Sequence, residues 1–189
     1  NIGETVLNFS KRAGGTGRVY AFEPDPSSFE NCSRNISLND FKNIVLEPLA
    51  LSHVAGESHL YRVSERNPGM NRILRDGHPD GTSVRIQTLS LDEYVQRKEI
   101  KQLNLIKIDV EGFELQVLKG AKNTISRFRP TLFIELDDRY LAQSGDSARL
   151  LVEFLSQWPY RITRADTGEN VTADQSFADC HYDILCQIK

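Results

Sequence analysis

The sequence predicts a doubly wound α/β domain, with a mostly parallel sheet that finishes in an antiparallel strand pair. Short apolar runs alternate with amphipathic stretches of helical period, the pattern of parallel strands joined by crossover helices. Several of those runs end on carboxylates: Glu23, then Asp109 with Glu111, then Glu135 with Asp137 and Asp138. Near the end two runs, 160–164 and 182–188, follow each other with no helix between them, as antiparallel neighbours can. At 189 residues the chain suits a single domain over 1–189 with a sizeable core.

Taken in order, Val6, Phe9 and Ala13 share one helical face, and Gly14-Gly15-Thr16-Gly17 stops that helix. Residues 18–23 read as a buried strand ending in Glu23. Pro24, Asp25 and Pro26 halt it, with Asp25 suited to the N-cap and Pro26 to the first turn of the next helix. Phe29, Cys32 and Ile36 line the inner face of that helix, which reaches about Asn39. Residues 44–51 supply another strand, whose pairing Pro48 should interrupt. Residues 57–63 and 83–89 look like two more strands. The stretch between them, 64–82, is long for a loop inside a compact domain and is expected to be an acceptor loop. Gly69, Gly77 and Gly81 would give it freedom, Met70, Ile73 and Leu74 could cover a substrate, and His78 is a possible polar contact.

Ser90 and Glu93 form a capping box for a helix to about Glu99. The run Leu103-Asn104-Leu105-Ile106-Lys107-Ile108 is rich enough in Leu and Ile to read as a strand covered on both faces. Phe113, Val117, Ala121, Ile125 and Phe128 then mark a helical stripe, broken or kinked near Gly120. Pro130 ends it before the strand 131–136. Asp146 or Ser147 can cap a helix whose Leu151, Phe154, Leu155 and Trp158 share a face, and Pro159 breaks it. Asp166-Thr167-Gly168 is turn chemistry between the last two strands.

Composition excludes several roles. A net charge of −3 gives no general basic footprint for nucleic acid. No apolar run approaches the roughly 20 residues of a membrane span, and no signal-like segment opens the chain, so a cytoplasmic protein is expected. Cys32, Cys180 and Cys186 are odd in number and lack metal-type spacing, which points to reduced thiols.

The chemistry should sit where the strand through Ile108 ends. In open α/β sheets ligands bind beyond the carboxyl ends of the strands, and Asp109 and Glu111 stand there. Either could instead cap the following helix. An acid after an early strand, here Glu23, can accept both hydroxyls of an adenosine ribose, a group shared by dinucleotides and S-adenosylmethionine.

A set of blocks in order then resembles one family. Asn1-Ile2-Gly3-Glu4-Thr5, Val19-Tyr20-Ala21-Phe22-Glu23-Pro24, Ala50-Leu51-Ser52, Ser90-Leu91-Asp92-Glu93-Tyr94, Ile106-Lys107-Ile108-Asp109-Val110-Glu111-Gly112 and Leu118-Lys119-Gly120-Ala121 resemble the FkbM-type methyltransferases. The likeness runs from Asn1 to about Leu136. It implies the Rossmann-like class I methyltransferase fold, S-adenosylmethionine as cofactor, and O-methylation of a hydroxyl on a sugar or natural product. By this resemblance Asn1, Gly3 and Glu4 would be the tail of the glycine loop at the methionine end of the cofactor. Glu23 would bind the ribose, Pro24 would border the adenine, and Ala50 and Leu51 would lie near the base, in the loop after the third strand. Asp109 would face the reacting methyl, with Glu111 just beyond it.

Either acid could take the acceptor's proton, Asp109 before Glu111. An Mg²⁺ ion held by Asp109 and Glu135 is a less favoured route. The alternatives are a non-catalytic S-adenosylmethionine-binding module and an NAD-dependent oxidoreductase, although no G-x-G-x-x-G element supports the latter. Family members carry Asp-x-Gly-Ala-Asn-x-Gly here, of which only Asn1-Ile2-Gly3 is present. A strand upstream of Asn1 is therefore expected.

Overall fold

The computed structural model describes residues 3–61, 71–73 and 83–188. Its elements run α1 (Glu4–Ala13), β1 (Val19–Phe22), α2 (Pro26–Leu38), β2 (Ile44–Glu47), β3 (Ala50–Leu51), β4 (Gly56–Tyr61), β5 (Arg72–Ile73) and β6 (Ser83–Leu89). They continue with α3 (Leu91–Arg97), β7 (Leu105–Ile108), α4 (Glu114–Lys119), α5 (Lys122–Phe128), β8 (Thr131–Asp137), α6 (Asp138–Gln143), α7 (Ala148–Leu155), β9 (Tyr160–Arg164) and β10 (His181–Ile188).

Local chemistry sets several boundaries as expected. Asp25 caps α2, its Oδ1 accepting from the N–H groups of Ser27 and Ser28 at 2.9 and 3.0 Å. Ser147, rather than Asp146, caps α7 by accepting from Leu150 N–H. The capping box at α3 is half formed: Ser90 Oγ accepts from Glu93 N–H, but the Glu93 carboxylate pairs with Arg97 one turn on. The stripe from Phe113 to Phe128 is split at Gly120 into α4 and α5, and a side chain is excluded at that position because a Cβ would lie 2.0 Å from the Ser52 carbonyl oxygen.

The sheet is mixed rather than one mostly parallel layer. β1 pairs in parallel with β2. Pro48 ends that pairing, and the chain crosses into a second sheet of order β3-β6-β4-β5, in which β4 runs antiparallel to both β5 and β6. A third sheet has the order β7-β8-β10-β9, with β7 and β8 parallel and β10 antiparallel to both its neighbours. The expected antiparallel pair at the end of the sequence is present, with β10 inside and β9 at the edge.

The core lies on one face of that third sheet. Leu132, Ile134, Leu136, Ile184 and Cys186 are fully buried in one cluster with Leu118, Ile125, Leu151 and Leu155 from α4, α5 and α7. Burying each such side chain contributes about 1.5–3 kcal/mol. The opposite face carries Lys107, Phe133, Glu135 and Asp183, all part-exposed. The expectation that the strand before Asp109 is covered on both faces is therefore wrong. Leu105 is 40% exposed, and β7 has a strand partner on one edge alone among the described residues.

Most of the long stretch 64–82 lies outside the described residues, including Met70, Leu74, His78 and its three glycines. Ile73 is described, and it belongs to β5. It pairs with Leu60 in β4 and is buried with Ala50, Ile86 and Phe113. Cys32, Cys180 and Cys186 are buried free thiols, as expected. No helix among the described residues is long and apolar enough to cross a membrane.

Candidate active site

β7 stops at Ile108 and the chain turns sharply, with Glu111 at φ 55° and Gly112 at φ 98°. Glu114 builds that turn. It is buried, and its Oε1 accepts from the N–H groups of Val110 and Gly112 at 3.1 and 3.0 Å. Burial raises the Glu114 pKa above the usual carboxylate range, against these backbone bonds that favour its charge. Sequence reasoning gave Glu114 no role. Its signal is a carboxylate placed to reach back over a glycine turn, the geometry of a local cap.

The turn delivers two carboxylates to the end of β8. Asp109, Glu111 and Glu135 each bring an oxygen within 4.8 Å of the others. Asp109 Oδ2 is bonded to Lys107 Nζ at 2.6 Å, two residues back on the same face. Glu111 Oε2 is 4.0 Å from Arg72 Nη2, beyond hydrogen-bond reach, and the Oε2 atoms of Glu111 and Glu135 are buried without a hydrogen-bond partner among the described residues. Burial raises the pKa of Glu111, with Arg72 opposing. Burial, then the charges of Asp109, Glu111 and Glu114, push Glu135 up to about 7. Across the sheet Asp183 stands opposite Glu135 and is likewise raised by burial.

Asp137 behaves differently. Burial acts to raise its pKa, but hydrogen bonds from Tyr140 N–H, Arg139 and His181 outweigh it and hold the carboxyl below its ordinary value. The His181 Nδ1 to Asp137 Oδ2 distance is 2.8 Å. His181 was missed at the sequence level, since a histidine opening the last strand has no local signature.

Arg72 was missed as well. It is buried, with its guanidinium 3.7 Å over the Tyr140 ring and its Nη1 donating to Gln143 Oε1 at 2.6 Å. Beside it, Asn71 Nδ2 reaches Asp25 Oδ2 at 3.5 Å. Residues 71–72 thereby span from the end of β1 to the end of β7, linking the Glu23 side of the site to the Asp109 side.

At the end of β1, Glu23 Oε1 accepts from Asp25 N–H at 3.1 Å, which orients its carboxylate beside Pro24. Gly3 is the N-cap of α1 at φ 100°, packed so closely on α2 that a Cβ would stand 2.9 Å from Cys32 Sγ. Glu23 lies within electrostatic reach of Cys32, so Gly3 and Glu23 belong to one neighbourhood. Glu4 is exposed in the first turn of α1, and Asn1 lies outside the described residues. Ala50 and Leu51 are not in a loop, as expected from the resemblance, but form β3 beside Thr88 and Leu89 of β6. Ala50 is buried and Leu51 packs on the main core.

Chemically, the site joins an oriented carboxylate at one strand end to a cluster of three at another. The cluster offers the hard oxygen donors that suit Mg²⁺, while Lys107 and Arg72 supply positive charge beside two of its members.

The sequence pattern of the methyltransferase FkbM domain matches residues 1–162. The hexuronic acid methyltransferase AglP of Haloferax volcanii is 33% identical over 127 residues, covering 66% of this chain and 48% of its own length. The 2-O-methyltransferase NoeI of Sinorhizobium fredii is 22% identical over 163 residues, covering 73% of this chain and 61% of its own. The chain thus spans about half the length of the first of these relatives. The crystal structure of methyltransferase FkbM from Methylobacillus flagellatus shares the fold, with a TM-score of 0.60 over 98% of this chain and 40% of that one at 21% identity. With the domain pattern matched from residue 1 to 162, the chain belongs to the FkbM methyltransferase family.

Proposed function

We propose that the protein transfers a methyl group from S-adenosylmethionine to a hydroxyl oxygen of a sugar or natural-product acceptor, on a Rossmann-like class I scaffold. The observation that carries this reading is the convergence of Asp109, Glu111 and Glu135 within 4.8 Å at the carboxyl ends of β7 and β8. The printed names of two relatives, a hexuronic acid methyltransferase and a 2-O-methyltransferase, support the acceptor class.

The cofactor's demands fit the residues present. Glu23, held by Asp25 N–H, offers a carboxylate to the two ribose hydroxyls, with Pro24 beside it. Gly3 and Glu4, with Asn1, would meet the methionine end, and Ala50 and Leu51 would border the base. When bound, S-adenosylmethionine supplies a methyl already activated on a sulfonium. The protein's task is then to hold the acceptor oxygen in line, exclude water and receive a proton. Asp109 is the proton acceptor this reading prefers, with Glu111 the alternative. Glu135, raised to about 7, helps keep a proton shared within the cluster near neutral pH. A divalent ion in the cluster would assist by lowering the pKa of the hydroxyl.

The test is methyl transfer from labelled donor to a panel of hydroxylated acceptors. Label appearing as an ether on an acceptor is the expected result. Donor binding without transfer to any acceptor would leave a non-catalytic binding module, and binding of NAD instead of the donor would favour an oxidoreductase. Loss of transfer on chelation, restored by Mg²⁺, would assign the cluster to a metal.

A further inference from the structure

A cavity of about 650 Å³ opens at the start of β10, walled by Arg164, Asn170, Gln175, Ser176, His181 and Tyr182 among others. All its lining residues fall beyond residue 162, where the matched domain pattern stops. Its place in the fold is set by the sheet. β10 runs antiparallel to β8, with His181 opposite Asp137 and Asp183 opposite Glu135. The first residue of β10 therefore sits at the carboxyl end of β8, the end that carries the acidic cluster.

His181 joins the cavity to Asp137, the last residue of β8. Its side chain is 59% exposed, whereas the Asp137 carboxylate it meets at 2.8 Å is 2% exposed. A carboxylate accepts and cannot donate, so the bond assigns a proton to Nδ1, and in the neutral imidazole Nε2 is then the acceptor. The Asp137 carboxylate is in turn fixed by the N–H groups of Arg139 and Tyr140. A hydroxyl in the cavity thus finds an oriented acceptor on a wall shared with the reactive rim.

The lining also defines the chemistry of an occupant. Amide, hydroxyl and imidazole groups line it, in part bonded to one another as Gln175 Nε2 is to Tyr182 Oη at 3.2 Å, and their remaining donors and acceptors suit a polar occupant better than an apolar one. The Arg164 guanidinium is taken up by Asp166 through two bonds, at 3.0 and 2.7 Å. The carboxylates of Glu169 and Asp179 also line the cavity. An anionic occupant would meet acids and a cation already paired. The volume falls within the roughly 300–1,000 Å³ range of small-molecule sites.

We propose that this cavity is the acceptor subsite, and that it takes an uncharged, hydroxyl-rich sugar with His181 Nε2 accepting from one of its hydroxyls. The assignment rests on the methyltransferase reading for its role but not for its binding, so the two can fail separately.

The experiment titrates the protein with the methyl glycosides of glucose and galactose and with methyl glucuronide, by calorimetry, alongside S-adenosylmethionine binding and acceptor KM. Ser176→Trp should fill the cavity, raising the sugar Kd and the acceptor KM by more than about tenfold while the donor still binds. His181→Gln should raise both by about 2- to 12-fold, the loss of one uncharged hydrogen bond. It serves as the second variant if Ser176→Trp does not fold. Sugar binding that both variants leave unchanged, or methyl transfer with an unaltered KM in both, would overturn the assignment. Glucuronide binding tighter than the neutral glycosides would overturn the class of occupant. Sugar binding without methyl transfer would uphold the subsite and overturn the methyltransferase reading.

Discussion

At the scale of single residues, the acids at the strand ends do not share one chemistry, and position decides which is which. Glu23 stands at the end of β1, held at Oε1 by Asp25 N–H. On the proposal that it binds the ribose, losing that charge-assisted bond should cost about 1.5–3 kcal/mol, so Glu23→Ala should weaken donor binding by about 10- to 150-fold in calorimetry. Asp109 faces the cluster beside Lys107. If it takes the acceptor's proton, Asp109→Asn should lower turnover by about 10²–10⁴ with the fold intact; near-normal turnover would remove it from that role. Glu135 makes a prediction about stability. Its pKa in the folded protein is about 7, above that of an unfolded carboxyl, so the folded state holds the proton more tightly. Its contribution is complete at pH values below the unfolded carboxylate range and is lost as pH rises through about 7. The unfolding free energy should therefore fall between pH 5 and pH 8, by an amount on the order of 1–2 kcal/mol once solvent screening of this part-exposed site is allowed for, with the melting temperature falling accordingly. Glu111 and Asp183, raised by burial, act in the same direction. Glu135→Gln should flatten the fall, and an unchanged pH profile would show that the group is not buried as described.

At the scale of elements, the turn between β7 and α4 is where sequence and structure agree most closely and where the fold is least tolerant. Gly112 has φ 98°, and a Cβ would stand 2.3 Å from the Tyr140 carbonyl oxygen at α6. Both the left-handed backbone and the close approach demand glycine. Gly112→Ala should destabilise by about 1–3 kcal/mol, and it should also displace Glu111 and Glu114, which flank it. A denaturant melt read beside turnover would separate the two effects, and a variant as stable as the parent would refute the packing argument. That the strand ends in acids and passes at once into a helix was legible in the sequence, as a local signal. So were the caps at Asp25 and Ser147, the break at Gly120 and the interruption at Pro48. Arg72 and His181 were not legible. Each acquires its role from partners far away in sequence, Glu111 for one and Asp137 for the other, and no spacing rule encodes a tertiary pairing. Ala50 and Leu51 were legible as part of the strand run 44–51, and it was the family resemblance that put them in a loop, whereas they form a two-residue strand beside β6.

At the scale of the whole molecule, the unexpected feature is how the strands are shared among sheets. The alternation of strands and helices was legible, but its partition into three sheets was not, because strand order depends on pairings that a periodic pattern does not specify. The consequence is uneven protection. β8 is bonded on both sides, by β7 and β10, whereas β1 and β7 each have one strand neighbour among the described residues. Backbone N–H groups without a ladder partner exchange through small local openings, while those inside a ladder wait for larger ones. Hydrogen exchange followed residue by residue should show slow amides throughout β8 and the centre of β10. In β1 and β7 it should show a mixture, slow toward the paired neighbour and fast toward the open edge. Uniformly slow exchange along β7 would show that its open edge is covered and would overturn this account of uneven protection.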